Sequence, residues 1–349
     1  MRNFISEDDI EQAILQKLEG DPFQYGILRC DPSPDKCELL PDGTGRNSKK
    51  ECVLPLILRE ALARLNPDIP GEKLEEIARD LCRDFSATDM TATNYKYYNQ
   101  IRNGIKISLR RNGKEDFDFV KLVDFDRPEN NTFTAVSQMW IQGRVYWRRP
   151  DVLIFINGLP MVFVELKNSI VKVEEAYNDN LKNYLRDIPN LFAFNQICVL
   201  SNGLETRLGA FNATYNHFFE WLKVDSEKER PDRQALKEAG TVGESSVRYF
   251  IDGLLRKDRL VDYIENFIMF RNQKNKIIAK NHQYFGVNNL MESVKNRAEL
   301  QGKLGVFWHT QGSGKSFSMV FFARKVRRKI PGNFTFLIIT DREDLDDQI

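Results

Sequence analysis

Arg148-Arg149-Pro150-Asp151-Val152-Leu153-Ile154-Phe155-Ile156-Asn157-Gly158-Leu159-Pro160-Met161-Val162-Phe163-Val164-Glu165-Leu166-Lys167-Asn168 places two apolar runs on either side of an Asn-Gly pair. Residues 152–156 are continuously apolar. Residues 161–167 alternate, so that Phe163, Glu165 and Lys167 fall on one face of a strand and Val162, Val164 and Leu166 on the other. Asn-Gly between such runs is a strong hairpin signal. The polar residues therefore end an otherwise apolar pair of strands. A plain two-residue turn would set Asp151 opposite Val164 and leave Glu165 on the wrong face. A three-residue loop or a β-bulge is required if the two acids are to converge.

Hydrolysis of a phosphodiester needs a divalent cation on hard oxygen ligands, a positioned water, and positive charge where the phosphorane develops. Asp151, Glu165 and Lys167 supply those parts, and the hairpin reads as a metal-dependent phosphodiesterase site with a divalent cation held by the two carboxylates. An isolated acid-x-Lys is more often a solvated strand edge. The adjoining hairpin is what gives this one weight.

The chain's 349 residues exceed one ordinary core and predict two domains. Lys and Arg total 51 against 50 Asp and Glu, a net charge of +1, so any nucleic-acid binding must use local patches rather than an overall field. Cys30, Cys37, Cys52, Cys82 and Cys198 form no C-x-x-C pair, and the histidines are His217, His282 and His309, which argues against structural zinc. No targeting segment and no apolar run of membrane-spanning length is present, and the expected location is cytoplasmic, with reduced thiols.

Ser6 with Asp9 three residues on, followed by Ile10, Ile14, Leu15 and Leu18, predicts a capped helix over 6–19. Residues 30–50, rich in Pro, Asp, Gly and Ser, read as a surface insertion, and helical periodicity resumes over 53–65 and 74–85. Strands are expected between 117 and 142, a polar helix over about 173–186, and a short strand over 196–200. This is a small mixed α/β sheet flanked by helices. Charged and small residues over 225–248 mark a linker, which divides the chain into domains at 1–224 and 249–349.

His309-Thr310-Gln311-Gly312-Ser313-Gly314-Lys315-Ser316 fits a phosphate-binding loop, except that His309 replaces the first glycine. Strands expected over 304–308 and 334–340, with a helix over about 315–328 between them, make a βαβ unit around it. The backbone of Gly312, Ser313 and Gly314 can wrap the phosphates of ATP, Lys315 can neutralise them, and Ser316 can ligate Mg²⁺ at the helix N-terminus. Asp341 follows the next strand, and no Asp-Glu dipeptide occurs, so a Walker B pair of that type is missing. The expectation is the front part of a longer protein that does not turn over ATP unaided.

These pieces in this order resemble the R (restriction and translocation) subunit of type I restriction enzymes. The resemblance rests on residues 148–160 and 164–168, on Ile188-Pro189-Asn190-Leu191-Phe192, on His282-Gln283-Tyr284-Phe285, on the loop from His309 to Ser316, and on Thr340-Asp341-Arg342-Glu343-Asp344-Leu345-Asp346-Asp347-Gln348. It implies a PD-(D/E)xK nuclease domain in which Asp151 and Glu165 bind Mg²⁺ and Lys167 assists the attacking water or the transition state. The start of a superfamily 2 helicase motor with a RecA-like fold would follow. It also implies a Gln-x-x-x-Tyr element, matched here by Asn180 and Tyr184 with Asn in place of Gln. Glu11 would support the metal, and Gln283 would read adenine. Double-stranded DNA and the methyltransferase and specificity subunits are the implied partners.

Two functions remain open on these grounds. One is an endonuclease coupled to ATP-driven translocation of double-stranded DNA. The other is a P-loop ATPase whose N-terminal region is a non-catalytic nucleic-acid-binding or docking module. Arg148 and Arg149 could meet DNA phosphates or pair with a nearby acid. The tyrosines Tyr95, Tyr97 and Tyr98 read as packing, and the basic run of Arg324, Lys325, Arg327, Arg328 and Lys329 as a complement to a helix dipole.

Overall fold

In the computed structural model, which describes residues 4–83, 89–111 and 114–339, the chain opens with helix α1 (Glu7–Glu19). Ser6 caps it through the expected reciprocal box with Asp9. Strand β1 (Gly26–Arg29) follows, then helices α2 (Pro55–Leu65), α3 (Gly71–Cys82) and α4 (Met90–Asn103). A separate ribbon joins β2 (Ile105–Arg111) to β3 (Lys114–Val120), beginning earlier than the sequence pattern suggests. Next come β4 (Phe133–Ser137), the short pair β5 (Ile141–Gln142) and β6 (Trp147–Arg148), β7 (Val152–Ile156) and β8 (Leu159–Leu166). Helix α5 (Val173–Glu175), a π-helical stretch (Ala176–Leu181) and α6 (Lys182–Asp187) lead to β9 (Ile197–Ser201), β10 (Thr206–Gly209) and β11 (Phe219–Glu220).

A mixed seven-stranded sheet runs in the order β1-β4-β7-β8-β9-β10-β11. β1 pairs parallel with β4 and β8 parallel with β9, while the other neighbours are antiparallel. β7 and β8 lie near its centre and are buried along their whole length, which is why they read as continuous apolar runs. One face packs on α1, α2 and α4, and the other on the helical stretch from Val173 to Asp187.

The segment 30–50 is largely exposed, as its composition suggests, apart from a small buried ion cluster. Thr44, Arg46 and Lys49 are buried because Asp42 binds both cations, at 2.7 Å from Arg46 and 2.8 Å from Lys49. Arg46 also donates to the carbonyls of Glu51 and Trp140, so its charge is matched inside the fold.

Helices α7 (Arg233–Lys237), α8 (Ser246–Leu254) and α9 (Lys257–Asn266) precede a hairpin of β12 (Ile268–Arg271) and β13 (Asn275–Ile278) that the sequence pattern does not announce. This region docks on the sheet: Tyr25 donates to the Leu255 carbonyl and Tyr98 to that of Ile268, both at 2.6 Å. The buried Lys276 ammonium donates to Asn94, Asn195 and Gln196. Tyr97 and Tyr98 are core residues, as their spacing suggests.

Helices α10 (Asn281–Lys295) and α11 (Lys315–Lys329) complete the described elements. The strands expected at 304–308 and 334–340 do not form among the described residues. The cause is the lack of a hydrogen-bonding neighbour: Val306, Leu337 and Ile339 are 91%, 84% and 85% exposed, where a parallel strand would be covered on both faces. The basic run on α11 is engaged in pairs, Lys325 with Asp262 and Lys329 with Glu265 and Asp126.

Candidate functional site

Asn157 and Gly158 turn the β7-β8 hairpin with φ of 52° and 80°, the left-handed pair that Asn-Gly favours. Asn157 is buried, donating to the Leu122 carbonyl and accepting from the Thr132 amide. Gly158 has no room for a side chain, because a Cβ would stand 2.5 Å from the Leu54 carbonyl. Ile156 pairs with Leu159 and Phe155 with Pro160, but Ile154 pairs with Val162. Met161 is thus an extra residue, and Met161 and Val162 both enter the same core cluster. Beyond this bulge Val152 faces Val164, which brings Asp151 opposite Glu165 on the face shared by Leu153 and Phe163. This is the register correction that convergence requires.

Asp151 accepts the Leu166 amide at 2.7 Å through Oδ2, and its Oδ1 lies 3.4 Å from Gln138 Nε2. Glu165 is fully buried: its Oε1 is 3.8 Å from Lys167 Nζ and 3.4 Å from the Tyr184 hydroxyl, and its Oε2 has no hydrogen-bond partner. Lys167 also lies 4.0 Å from Glu7. The π-helical turn offsets the helix that carries Tyr184 by one residue, and the Tyr184 hydroxyl donates to the Arg149 carbonyl at 3.2 Å. Glu11, on the buried side of α1, accepts a short hydrogen bond from Gln138.

Burial dominates the electrostatics. It raises Asp151 to about 6 and Glu11 to about 7, each against weaker hydrogen-bond stabilisation of the ionised form. Glu165 is held well above the carboxylate range, first by burial and then by the charge of Asp151. The acids crowd a region where Lys167 is the cation in contact with Glu165. The geometry joins Asp151, Glu165, Lys167 and Tyr184 as the sequence suggests, and adds Gln138, which no motif marks.

Among the described residues no group of three or more His, Cys, Asp or Glu is gathered as a ready metal cage. Mg²⁺ does not need one, since it is held by one or two carboxylates and keeps water and phosphate oxygens as its other ligands. The orphaned Glu165 Oε2 and the raised acids fit a site completed by a small divalent cation. Arg148 is not free for a phosphate, because it pairs with Asp187 at 2.5 Å. Arg149 donates to the Pro32 carbonyl and lies over Trp140.

In the second region Gly312 and Gly314 have φ of 77° and 84°, and α11 starts at Lys315 directly after the loop. Lys315 Nζ donates to the His309 carbonyl at 3.0 Å, and Ser316 is half-buried. Gln283 is buried with both ends of its amide engaged, accepting from the Lys280 amide and donating to the Gly314 carbonyl. His309, in the place of the first loop glycine, is bonded to Glu227 at 2.6 Å. A cleft of about 890 Å³ opens between the loop and residues 219–233. Asp341 lies outside the described residues.

A mixed α/β sheet with a buried acid site at the end of a bulged hairpin, followed by a glycine loop at a helix N-terminus, defines the class of protein. The family described as type I restriction enzyme R protein N terminus (HSDR_N) matches residues 4–217, and the chain belongs to it. Residues 282–349 match the SWI2/SNF2 ATPase family. The type I restriction enzyme HindI endonuclease subunit of Haemophilus influenzae is 33% identical over 99% of this chain and 32% of its own length. A Methanocaldococcus jannaschii protein, provisionally named as a type I restriction enzyme endonuclease subunit, is 30% identical over 97% of this chain and 33% of its own. The type I restriction enzyme SauCOLORF180P endonuclease subunit of Staphylococcus aureus is 28% identical over 70% of this chain and 24% of its own. The chain thus spans about a third of the length of the first two of these relatives. Among the described residues no helix is long and apolar enough to cross a membrane.

Proposed function

We propose that the chain is the cutting domain and the leading part of the motor of a type I restriction R subunit. It is a Mg²⁺-dependent endonuclease for double-stranded DNA, coupled to ATP-driven translocation and working in the cytoplasm with methyltransferase and specificity subunits. In this reading residues 1–224 are the PD-(D/E)xK domain, 225–248 a linker, and 249–349 the first part of a RecA-like ATPase domain. The observation that carries it is the bulge at Met161, which places Asp151 opposite Glu165 with Lys167 3.8 Å from the glutamate.

Asp151 and Glu165 hold the cation, which when bound supplies Lewis acidity and lowers the pKa of its water. The Leu166 amide fixes one oxygen of Asp151, and Tyr184 steadies Oε1 of Glu165 while Oε2 stays open to the ligand. Lys167 orients the attacking water and sets positive charge beside the developing phosphorane. In the motor, the backbone of Gly312, Ser313 and Gly314, with Lys315 and Ser316, cradles the phosphates of ATP. Gln283 stands beside that loop and can turn to adenine only by releasing Lys280 and Gly314.

The test is plasmid linearisation and ATP turnover by the full-length R subunit in its complex, with Asp151→Ala or Lys167→Ala. Loss of linearisation with ATP turnover retained is expected. If both activities persist, the nuclease reading fails and the N-terminal region is a docking module on an ATPase.

A further inference from the structure

We propose that Gln138 is a positioning residue of the acid site, whose amide clamps Glu11 to Asp151 and presents both carboxylates to a divalent cation. The proposal rests on the nuclease reading of Asp151 and Glu165. Gln138 directly follows β4, where Ser137 faces Val152, so it is the cross-strand neighbour of Asp151. Its own amide donates to the Asp151 carbonyl at 2.9 Å. The residue sits at φ 56°, a left-handed conformation that a long side chain seldom adopts. Backbone strain of this kind persists only where surrounding contacts hold it.

Those contacts are with the acids. Nε2 carries two hydrogens and has two carboxylates before it, Glu11 by a short bond and Asp151 Oδ1 at 3.4 Å. With both carboxylates ionised, as a bound cation requires, turning the amide over would set Oε1 against them, so the nitrogen faces them. Oε1 is left buried without a partner. A lysine at this place would neutralise the acids and compete with an incoming cation, whereas an apolar side chain would leave the carboxylates to repel each other. A neutral amide draws them together and leaves their charge available. Glu11, 127 residues away in sequence, is thereby tied to the hairpin that carries Asp151 and Glu165.

The experiment uses the full-length R subunit, free of nucleotide, titrated with Mn²⁺ and read by the resonance signal of free Mn²⁺. Gln138→Met keeps the length of the side chain and removes its donors. It is expected to weaken Mn²⁺ binding about tenfold. In the assembled complex, the Mg²⁺ needed for half-maximal cleavage should rise by the same factor. The rate at saturating Mg²⁺ should stay within about threefold and ATP turnover should not change. A purely structural role would lower cleavage equally at every Mg²⁺ concentration with Mn²⁺ affinity intact, and that result overturns the proposal. Should Gln138→Met not fold, Gln138→Asn keeps the amide on a shorter arm, and wild-type Mn²⁺ affinity in that variant overturns it as well. Asp151→Ala separates the two readings. Normal cleavage there removes the nuclease reading itself, while lost Mn²⁺ binding in Asp151→Ala beside wild-type binding in Gln138→Met removes only the clamp.

Discussion

The acid site and the phosphate loop lie in the same chain but are completed by different means. Glu165 lies on a strand hydrogen-bonded on both sides, Asp151 and Lys167 directly flank the two strands of the hairpin, and Tyr184 is on a helix packed against them. The loop from His309 to Ser316 has its helix, but the flanking segments 304–308 and 334–339 have no strand partners among the described residues and expose Val306, Leu337 and Ile339. A site at the end of a central hairpin is specified by pairing and burial within the sheet. A site between strands of an open parallel sheet is specified only once neighbouring strands are in place.

The sharpest way to break this comparison is to strike each site separately in the full-length protein. Glu165→Gln keeps the size of the side chain but removes a charge the cation requires, and should cut DNA cleavage at least ~10²-fold while ATP turnover stays within about twofold. Lys315→Ala should do the converse, reducing ATP turnover on the order of 10²-fold. Measuring both activities on both variants tests independence. A Glu165→Gln protein that also loses ATP turnover would mean that the two sites are one cooperative unit.

A pH titration of metal-free protein probes the acid site alone. Asp151 at about 6 and Glu11 at about 7 lie above the values of an unfolded chain. Between pH 4 and 7 the folded state therefore keeps protons that the unfolded state has released. Stability falls as pH rises through that window, by about 3 kcal/mol for Asp151 alone. The Tm of metal-free protein should drop from pH 5 to pH 7.5 and recover on adding Mg²⁺. A flat profile would show that the acids are not strained by their burial.

Gly158→Ala addresses the scaffold rather than the chemistry. The added methyl meets the Leu54 carbonyl at 2.5 Å and the Leu58 amide at 2.8 Å, at a φ of 80°. The expected cost is about 2 kcal/mol, read as a lower denaturation midpoint.

What could be read from sequence follows the same division. The Asn157-Gly158 turn was legible because both residues favour positive φ, and the need for a register shift followed from the parity of Asp151 and Glu165. Its place at Met161 was not legible, because it depends on Met161 and Val162 sharing a core that only the fold creates. Ser6 and Asp9 announced α1 through a local rule, whereas Gln138 carries no local mark: its role comes from strand pairing and from Glu11 far away. Composition placed 30–50 at the surface correctly, since Pro, Gly and Asp suggest solvent, but could not show that Asp42 matches two buried cations there. For 304–308, apolar character predicts a strand only if partners are at hand.

The smallest effect is expected where the two regions touch. Glu227, from the segment 225–248, accepts from His309 at 2.6 Å, at the residue that replaces the first glycine of the loop. The pair joins a side chain 31% exposed to one 9% exposed, so it is neither a fully solvated ion pair nor a buried one. Glu227→Ala removes one hydrogen bond, and water can reach the vacated side, which limits the loss to about 1 kcal/mol or less. ATP affinity of the full-length protein should then shift by less than about threefold, because Lys315 holds the His309 carbonyl and not its ring. A larger change would mean that the loop takes its shape from segment 225–248 rather than from the turn at Gly312 and Gly314. That result would move the boundary between the two regions.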